Sequence, residues 1–379
     1  MKISILVLSL ISLLGCSNLA EKDSLALEVK GDWVRRVDLN KDLSTRKLHR
    51  MAPVFYKNLV LIGSNSYLSA FDSKSGRLKW KFLIPGGIEA SGVVSEDGSL
   101  YFGSKNGLVY KLNIPDRAIQ WSYNAKSEVL GKPLVHQGRL YVLASNNRLL
   151  ALDTDDGKLV WSYKRRQNTR FTIRGSAQPT IDGMKIYASF SDGYTVALEL
   201  KKAGLLWERK LNSGLRFSDI DTKPIIDGNQ LFVGGYDGRV YALGKRDGQI
   251  QWQSKAGAYQ SFTVSDKSLF VATTDSRVLE FDKTSGKILW NRKLSGRSLA
   301  SEILVNKNLL LFAESTGGVK VFDKNSKSLL GQYTANSASF SPIRFKAETE
   351  QYYFVSNSGN LHSFKTSYQR SRKSWDWEE

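Results

Sequence analysis

The chain is 379 residues long, with 55 lysines and arginines against 36 aspartates and glutamates and a formal charge of +19. At 41% hydrophobic and 24% charged residues, the composition is that of a globular protein and not of a disordered or fibrous one. A single cysteine excludes an internal disulfide framework and a cysteine-rich zinc site, and the histidines (His49, His136, His362) are too scattered for a clustered metal site or a histidine-based catalytic apparatus.

Lys2 is followed by an apolar run from Ile3 to Leu14, broken only by serines and closed by Gly15 and Cys16. The run is too short for a permanent membrane span and has the form of a secretory signal. Leu13-Leu14-Gly15-Cys16 resembles a bacterial lipobox. Residues 1–15 are therefore expected to be a lipoprotein signal peptide and Cys16 the lipid attachment site. The plainer alternative is an ordinary signal peptide that contains a cysteine. Acyl chains contribute ~0.8 kcal/mol per buried methylene, so several on one residue hold a protein stably at a membrane. Ser17 is compatible with export to the outer membrane, whereas aspartate there would favour inner-membrane retention. Residues 16–30 are polar, show no strong strand periodicity and read as a lipidated tether.

The next signal is a repeat. Trp33, Trp80, Trp121, Trp161, Trp207, Trp252 and Trp290 recur at roughly 40–45 residues. From Trp80 onward each follows the same script: an apolar strand-like run, a Gly or Asn turn, a second run, a Gly turn, then the tryptophan. Leu231-Phe232-Val233-Gly234-Gly235 and Val240-Tyr241-Ala242-Leu243, leading through Asp247-Gly248 to Trp252, show it fully. Period-2 alternation argues for strands, and the Asp-Gly, Asn-Gly and Ser-Gly pairs supply turns that need positive φ. Four antiparallel strands per unit at this period predict β-propeller blades. Each tryptophan would lie on an outermost strand and wedge between neighbouring blades, where truncation would cost roughly 3–5 kcal/mol.

An eighth unit reaches Leu329-Leu330-Gly331-Gln332-Tyr333, the same place in the script with the tryptophan lost. Three more strands follow up to Phe364 with no fourth, while Asp32-Trp33-Val34 supplies an outer strand with no inner three. The two ends would complete one blade between them and leave no open sheet edge. The expected fold is thus all-β, an eight-bladed propeller over residues 31–365 with its last blade closed by the N-terminal strand. Residues 366–379 read as a loose C-terminal tail in which Trp375 and Trp377 break the period.

Pro53, Pro133, Pro179, Pro224 and Pro342 all stand where an innermost strand begins, a position that tolerates proline. Arg174 and Asp219 each lie five residues before one of them, so they hold equivalent positions in the loops entering consecutive blades. These two loops are long enough to project from one rim, a usual place for binding. The opposite charges either pair with each other, worth ~0–1 kcal/mol at a surface, or both face a partner. Phe171, Ile173 and Ile220 beside them suit an interface; inward packing is the alternative, above all for Ile220. On the opposite rim Lys74, Arg77, Arg117, Lys158, Lys201, Lys202, Lys245, Arg246, Lys283, Lys287, Lys324 and Lys327 sit at or near the turns before the outer strands. They read as solvated turn residues, or as a positive disc attracting anionic lipid or acidic protein. Lys164-Arg165-Arg166 and Arg170 add charge to the Arg174 rim.

The Gly-x-Leu/Ile-x-Trp repeat resembles the eight-bladed propellers of pyrroloquinoline quinone (PQQ) enzymes, and with the lipobox it resembles the BamB family of lipoproteins from the outer-membrane β-barrel assembly machine. Thr172-Ile173-Arg174-Gly175-Ser176-Ala177-Gln178-Pro179 is similar to that family's Leu-Arg-Gly-x-x-x-Pro segment, and Phe217-Ser218-Asp219-Ile220-Asp221-Thr222-Lys223-Pro224 to its Leu-Ser-Asp-x-Asp-Thr-x-Pro segment. Phe171 and Phe217 stand where the family commonly has leucine. The resemblance implies a non-catalytic scaffold without cofactor, lipid-anchored at the outer membrane and facing the periplasm. It implies binding to the POTRA domains of a BamA-like barrel-inserting subunit through Phe171, Ile173, Arg174, Asp219, Ile220 and Asp221, with unfolded outer-membrane proteins as clients and no nucleic acid. Two other readings stand beside it. One is a PQQ-dependent dehydrogenase, for which the sequence supplies no cysteine pair, no long insertions to cover a cofactor and no base placed by spacing. The other is an envelope lipoprotein that binds another protein or a polysaccharide.

Overall fold

Alternating apolar residues and positive-φ turns build the same unit around the ring. The computed structural model describes residues 25–37, 51–88, 91–165, 177–211, 219–220, 222–235, 238–335 and 339–370. Among these residues the strands form eight four-stranded sheets. Blades 1 to 7 are antiparallel meanders over residues 54–83, 93–124, 134–164, 180–210, 225–254, 263–293 and 304–333. The eighth combines Arg344–Lys346, Gln351–Val355 and Asn360–Arg370 with the N-terminal strand Leu25–Arg36 as its outer edge. The fold is therefore the expected all-β propeller, closed by strands from both ends of the chain.

The middle strands of each blade carry the core. In blade 5, Leu231, Phe232, Val233, Val240, Ala242 and Leu243 are fully buried. Outer strands keep one face in water, so Leu205 and Leu206 are half exposed while Trp207 beside them is largely covered. The tryptophans are the ties between blades. Trp121, Trp161 and Trp252 donate their indole N–H to the carbonyls of Thr154, Leu200 and Lys283 of the following blade, each at 3.0 Å, and Trp207 donates to Lys245 at 3.2 Å. Gly157, Gly248 and Gly286 face those rings: an added Cβ would stand 2.6 Å from Trp121, Trp207 or Trp252. With φ between 68° and 73° at these three turns, glycine there serves the turn and also leaves a flat seat for the neighbouring indole.

Ring closure uses the same device. Trp33 donates to the Ser73 carbonyl at 3.2 Å, Arg35 Nε to Gly76 at 2.9 Å, and the Tyr353 hydroxyl to Ser73 at 2.9 Å.

The closing blade is longer than the sequence suggested. The tether expected through residue 30 gives way to strand at Leu25, and the propeller expected to end at 365 runs on to Arg370. Leu25 pairs with Arg370 and Lys30 with Lys365, in continuous antiparallel register up to a shift between Gly31 and Trp33. The reason lies in blade 7. Val321 pairs with Gly331 as Ala242 pairs with Trp252, so glycine occupies the tryptophan slot. Blade 8 has no turn between its two outer strands for an indole to meet, because those strands are the two ends of the chain. Instead Val29 covers the site, and a Cβ on Gly331 would lie 2.8 Å from its Cγ2. Leu27 and Val29 join the apolar cluster of Leu311, Val321, Tyr333 and Phe364.

Candidate partner-binding rim

Loops running from an outer strand to the next innermost strand emerge at one rim, together with the turns between second and third strands. The first candidate loop links Leu159–Lys164 to Thr180–Asp182, and the second links Leu205–Lys210 to Ile225–Asp227. Phe171, Ile173, Arg174 and Asp221 lie outside the described residues, as do Cys16 and the signal segment.

Asp219 and Ile220 are described, and both are buried, at 0% and 1% exposure. Ile220 takes the inward alternative: it packs with Leu211, Tyr187, Tyr241 and Val233, and its N–H donates to the Phe190 carbonyl at 3.3 Å. In this conformation neither side chain offers surface to a partner. Thr222 is equally internal. Its hydroxyl donates to the Gly234 carbonyl at 3.1 Å and accepts from the Gly234 N–H at 2.8 Å, clipping the loop to the second strand of blade 5. Ser301 accepts from Ala313 in the same way at 3.0 Å in blade 7. The conspicuous loop motif is thus partly an internal fastening. Its sequence signal is a hydroxyl residue just before the innermost strand.

Arg165, expected as free charge on this rim, is locked at the root of the first loop. Its guanidinium donates to Asp192 at 2.7 Å and Glu208 at 2.5 Å, and lies 4.0 Å above the Tyr194 ring. Burial works against the charged guanidinium, but the bonds to Asp192 and Glu208 prevail and hold it protonated. Burial also pushes Asp192 above the usual carboxylate range, against the pull of Arg165. The Asp192-Gly193 turn thus also supplies the acid that ties blade 4 to blade 3.

At the opposite rim several of the lysines are inter-blade ties. Lys245 pairs with Asp182 and Lys324 with Asp266, each at 2.7 Å, and Lys283 pairs with Asp227. Each of these lysines reaches the first hairpin of the preceding blade. Lys327 pairs with the buried Glu280 at 2.8 Å and lies 5.0 Å above the Phe270 ring. The positive disc is reduced accordingly, and a repeating structural use accounts for part of the basicity. His362 is a core residue: it stacks on Phe354 at 4.8 Å, its Nδ1 is 3.2 Å from the Tyr333 hydroxyl, and burial lowers its pKa to about 4. Among the described residues no group of three or more His, Cys, Asp or Glu could hold a metal ion.

Comparison with known proteins gives a consistent picture. A family model described as outer membrane protein assembly factor BamB matches residues 64–292 and 236–367. A Yersinia pestis protein of that description is 26% identical over 148 residues, 38% of this chain and 36% of the relative. Across the first such relatives, the match spans between 36% and 52% of their length. A quinohemoprotein alcohol dehydrogenase from Comamonas testosteroni is 28% identical over 113 residues, 28% of this chain and 16% of that enzyme. Among solved structures, BamB from Moraxella catarrhalis superposes with a TM-score of 0.76 at 17% identity, covering 89% of this chain and 100% of that one, a likeness of fold.

Proposed function

The chain belongs to the BamB family, and from that membership we propose that it is a non-catalytic scaffold in the assembly of outer-membrane β-barrel proteins. In this reading it is held at the outer membrane by lipid on Cys16 and faces the periplasm. The rim formed by the two long loops grips the POTRA domains of a BamA-like barrel-inserting subunit, and the wheel helps to feed unfolded barrel proteins toward it. Phe171, Ile173, Arg174 and Asp221 are the proposed contacts. Asp219 and Ile220, buried beneath the rim, act as the anchors that set the loop's position. The observation that carries the reading is the family model, which spans most of the ring. A tryptophan-tied scaffold beneath two long loops is consistent with it.

The test is crosslinking in membranes followed by mass spectrometry, with and without Arg174→Glu. Loss of the barrel-inserting subunit at unchanged thermal stability supports the contact; undiminished co-purification rejects it. Asp219 is unsuitable for this test, because replacing a fully buried side chain disturbs the loop itself. Cys16→Ser should release the protein from the membrane fraction. The likeness to a quinohemoprotein dehydrogenase supports a second reading, in which the propeller binds a quinone. Saturable binding of PQQ with calcium, together with oxidation of an alcohol, would overturn the scaffold.

A further inference from the structure

The seam between blades 6 and 7 departs from the indole tie used elsewhere in the ring. Trp121, Trp161, Trp207 and Trp252 each donate to the first carbonyl beyond the third strand of the next blade. By the same count Trp290 should reach Lys324, which follows the strand Val319–Asp323. The Lys327 ammonium takes that carbonyl instead. Lys327 holds the turn position of Gly157, Gly248 and Gly286, its N–H bonded like theirs to the carbonyl four residues back, and it adopts their positive φ, at 61°. A side chain thus stands where those turns leave a flat seat. Among the described residues the Trp290 indole N–H makes no hydrogen bond, and it is not sealed from water.

A second departure lies opposite the indole. The residue paired with the tryptophan is Ala70, Ala151, Ala197 or Ala242 in blades 1, 3, 4 and 5, but Glu280 in blade 6. Glu280 accepts from Ser268 Oγ at 2.5 Å and pairs with Lys327 at 2.8 Å. The Lys327 ammonium lies 5.0 Å from the Phe270 ring and 5.9 Å from that of Trp290. These residues line a cleft of about 550 Å³ between the two blades, walled also by Asn325 and by Leu289, which is 53% exposed. That volume is within the roughly 300–1,000 Å³ of ligand-binding clefts.

The lining selects the class of ligand. The ion pairs Lys327–Glu280 and Lys324–Asp266 balance, leaving only the exposed Lys267 at the lip. A strongly charged ligand would have to break one of these pairs and strand its other member. What the cleft offers is a mixture: indole N–H and ammonium donors, a carboxylate acceptor, and hydroxyl and amide groups that serve as both. Neighbouring hydroxyls on one ligand satisfy donors and acceptors together, while its C–H face lies against Leu289 and the indole. We propose that the cleft between blades 6 and 7 binds a neutral saccharide. The proposal is independent of the partner reading, since the cleft opens on the rim opposite the two long loops.

The test is saturation-transfer difference NMR of the full chain with maltotriose, cellotriose and chitotriose, and with trigalacturonate as a charged counterpart. Saturable binding of at least one neutral trimer is expected, at about 1 mM or tighter, with trigalacturonate weaker. Glu280→Ala/Lys327→Gly restores the repeat. It removes both charges together and returns the glycine seat, so the variant should melt no lower than the parent chain. Trp290 then regains the Lys324 carbonyl, and saccharide affinity should fall about tenfold or more. Leu289→Asp, at an exposed position, should give the same loss without touching the core. Affinity that rises from the monomer to the trimer of the sugar bound marks a site for a glycan chain, and equal affinity one for a free sugar. Absence of saturable binding by all three neutral trimers, tighter binding of trigalacturonate, or unchanged affinity in either variant overturns the proposal.

Discussion

Arg165→Met is the most informative single perturbation of the rim. The side chains of Arg165 and Asp192 are only 13% and 8% exposed, so the pair is shielded from water, whereas Glu208 at 42% recovers its hydration when released. Removing the guanidinium leaves the Asp192 carboxylate buried with its Tyr194 N–H contact at 3.3 Å as the remaining recorded bond. Truncating one member of a buried pair typically costs ~3–5 kcal/mol, mostly the penalty of the stranded charge and not the worth of the pair. Loss of the guanidinium from the Tyr194 face adds about 0.5–2 kcal/mol. Adding Asp192→Asn removes the stranded charge, so the double variant should recover to within ~1–2 kcal/mol of the parent. Urea unfolding followed by tryptophan fluorescence reads the difference, because the wedge indoles leave their seats as the blades separate. A double variant no more stable than Arg165→Met alone would refute the stranded-charge account.

Acid should weaken the ring through His362. Its folded pKa of about 4 lies below the ordinary 6.5, so between those values the unfolded chain takes up a proton that the folded chain refuses. Stability is fully present above the ordinary value and falls as the pH drops through this window, by up to about 3 kcal/mol. His362→Gln should flatten that part of the stability–pH curve, measured by urea titration at a series of pH values. Gly331→Trp restores the repeat's consensus yet should lower the melting temperature, since the indole would displace Val29; a rise would mean that the N-terminal strand does not rest there. Lys245→Met, which breaks the pair with Asp182, should cost no more than ~1 kcal/mol, with the difference shrinking in high salt.

The ring was legible because its signal is repeated. Seven tryptophans and their glycine turns report the same local geometry again and again, so the blade count follows from spacing and the closure from the unmatched ends. The outer part of the closing blade was hidden for the opposite reason. Leu25, Leu27 and Val29 alternate only briefly in a polar stretch, and their strand forms because it finds Thr366–Arg370 and the vacant Gly331 slot, neither of which lies nearby in sequence. The candidate site was half legible. The loops could be placed from their prolines, but loop residues carry no periodicity to show which way a side chain turns. Ile220 went inward and Asp219 lies fully buried as well. Arg165 read as rim charge, since its partners Asp192 and Glu208 belong to another blade.

Because Leu25 is paired with Arg370, the first and last described strands of the propeller lie side by side at the outer edge of one blade. The same arrangement permits circular permutation: a short peptide could join Arg370 to Leu25, and new termini could be cut at an exposed hairpin of another blade. Such a rearranged chain should still close, because which blade is stitched from two separate segments is an accident of where the polypeptide starts.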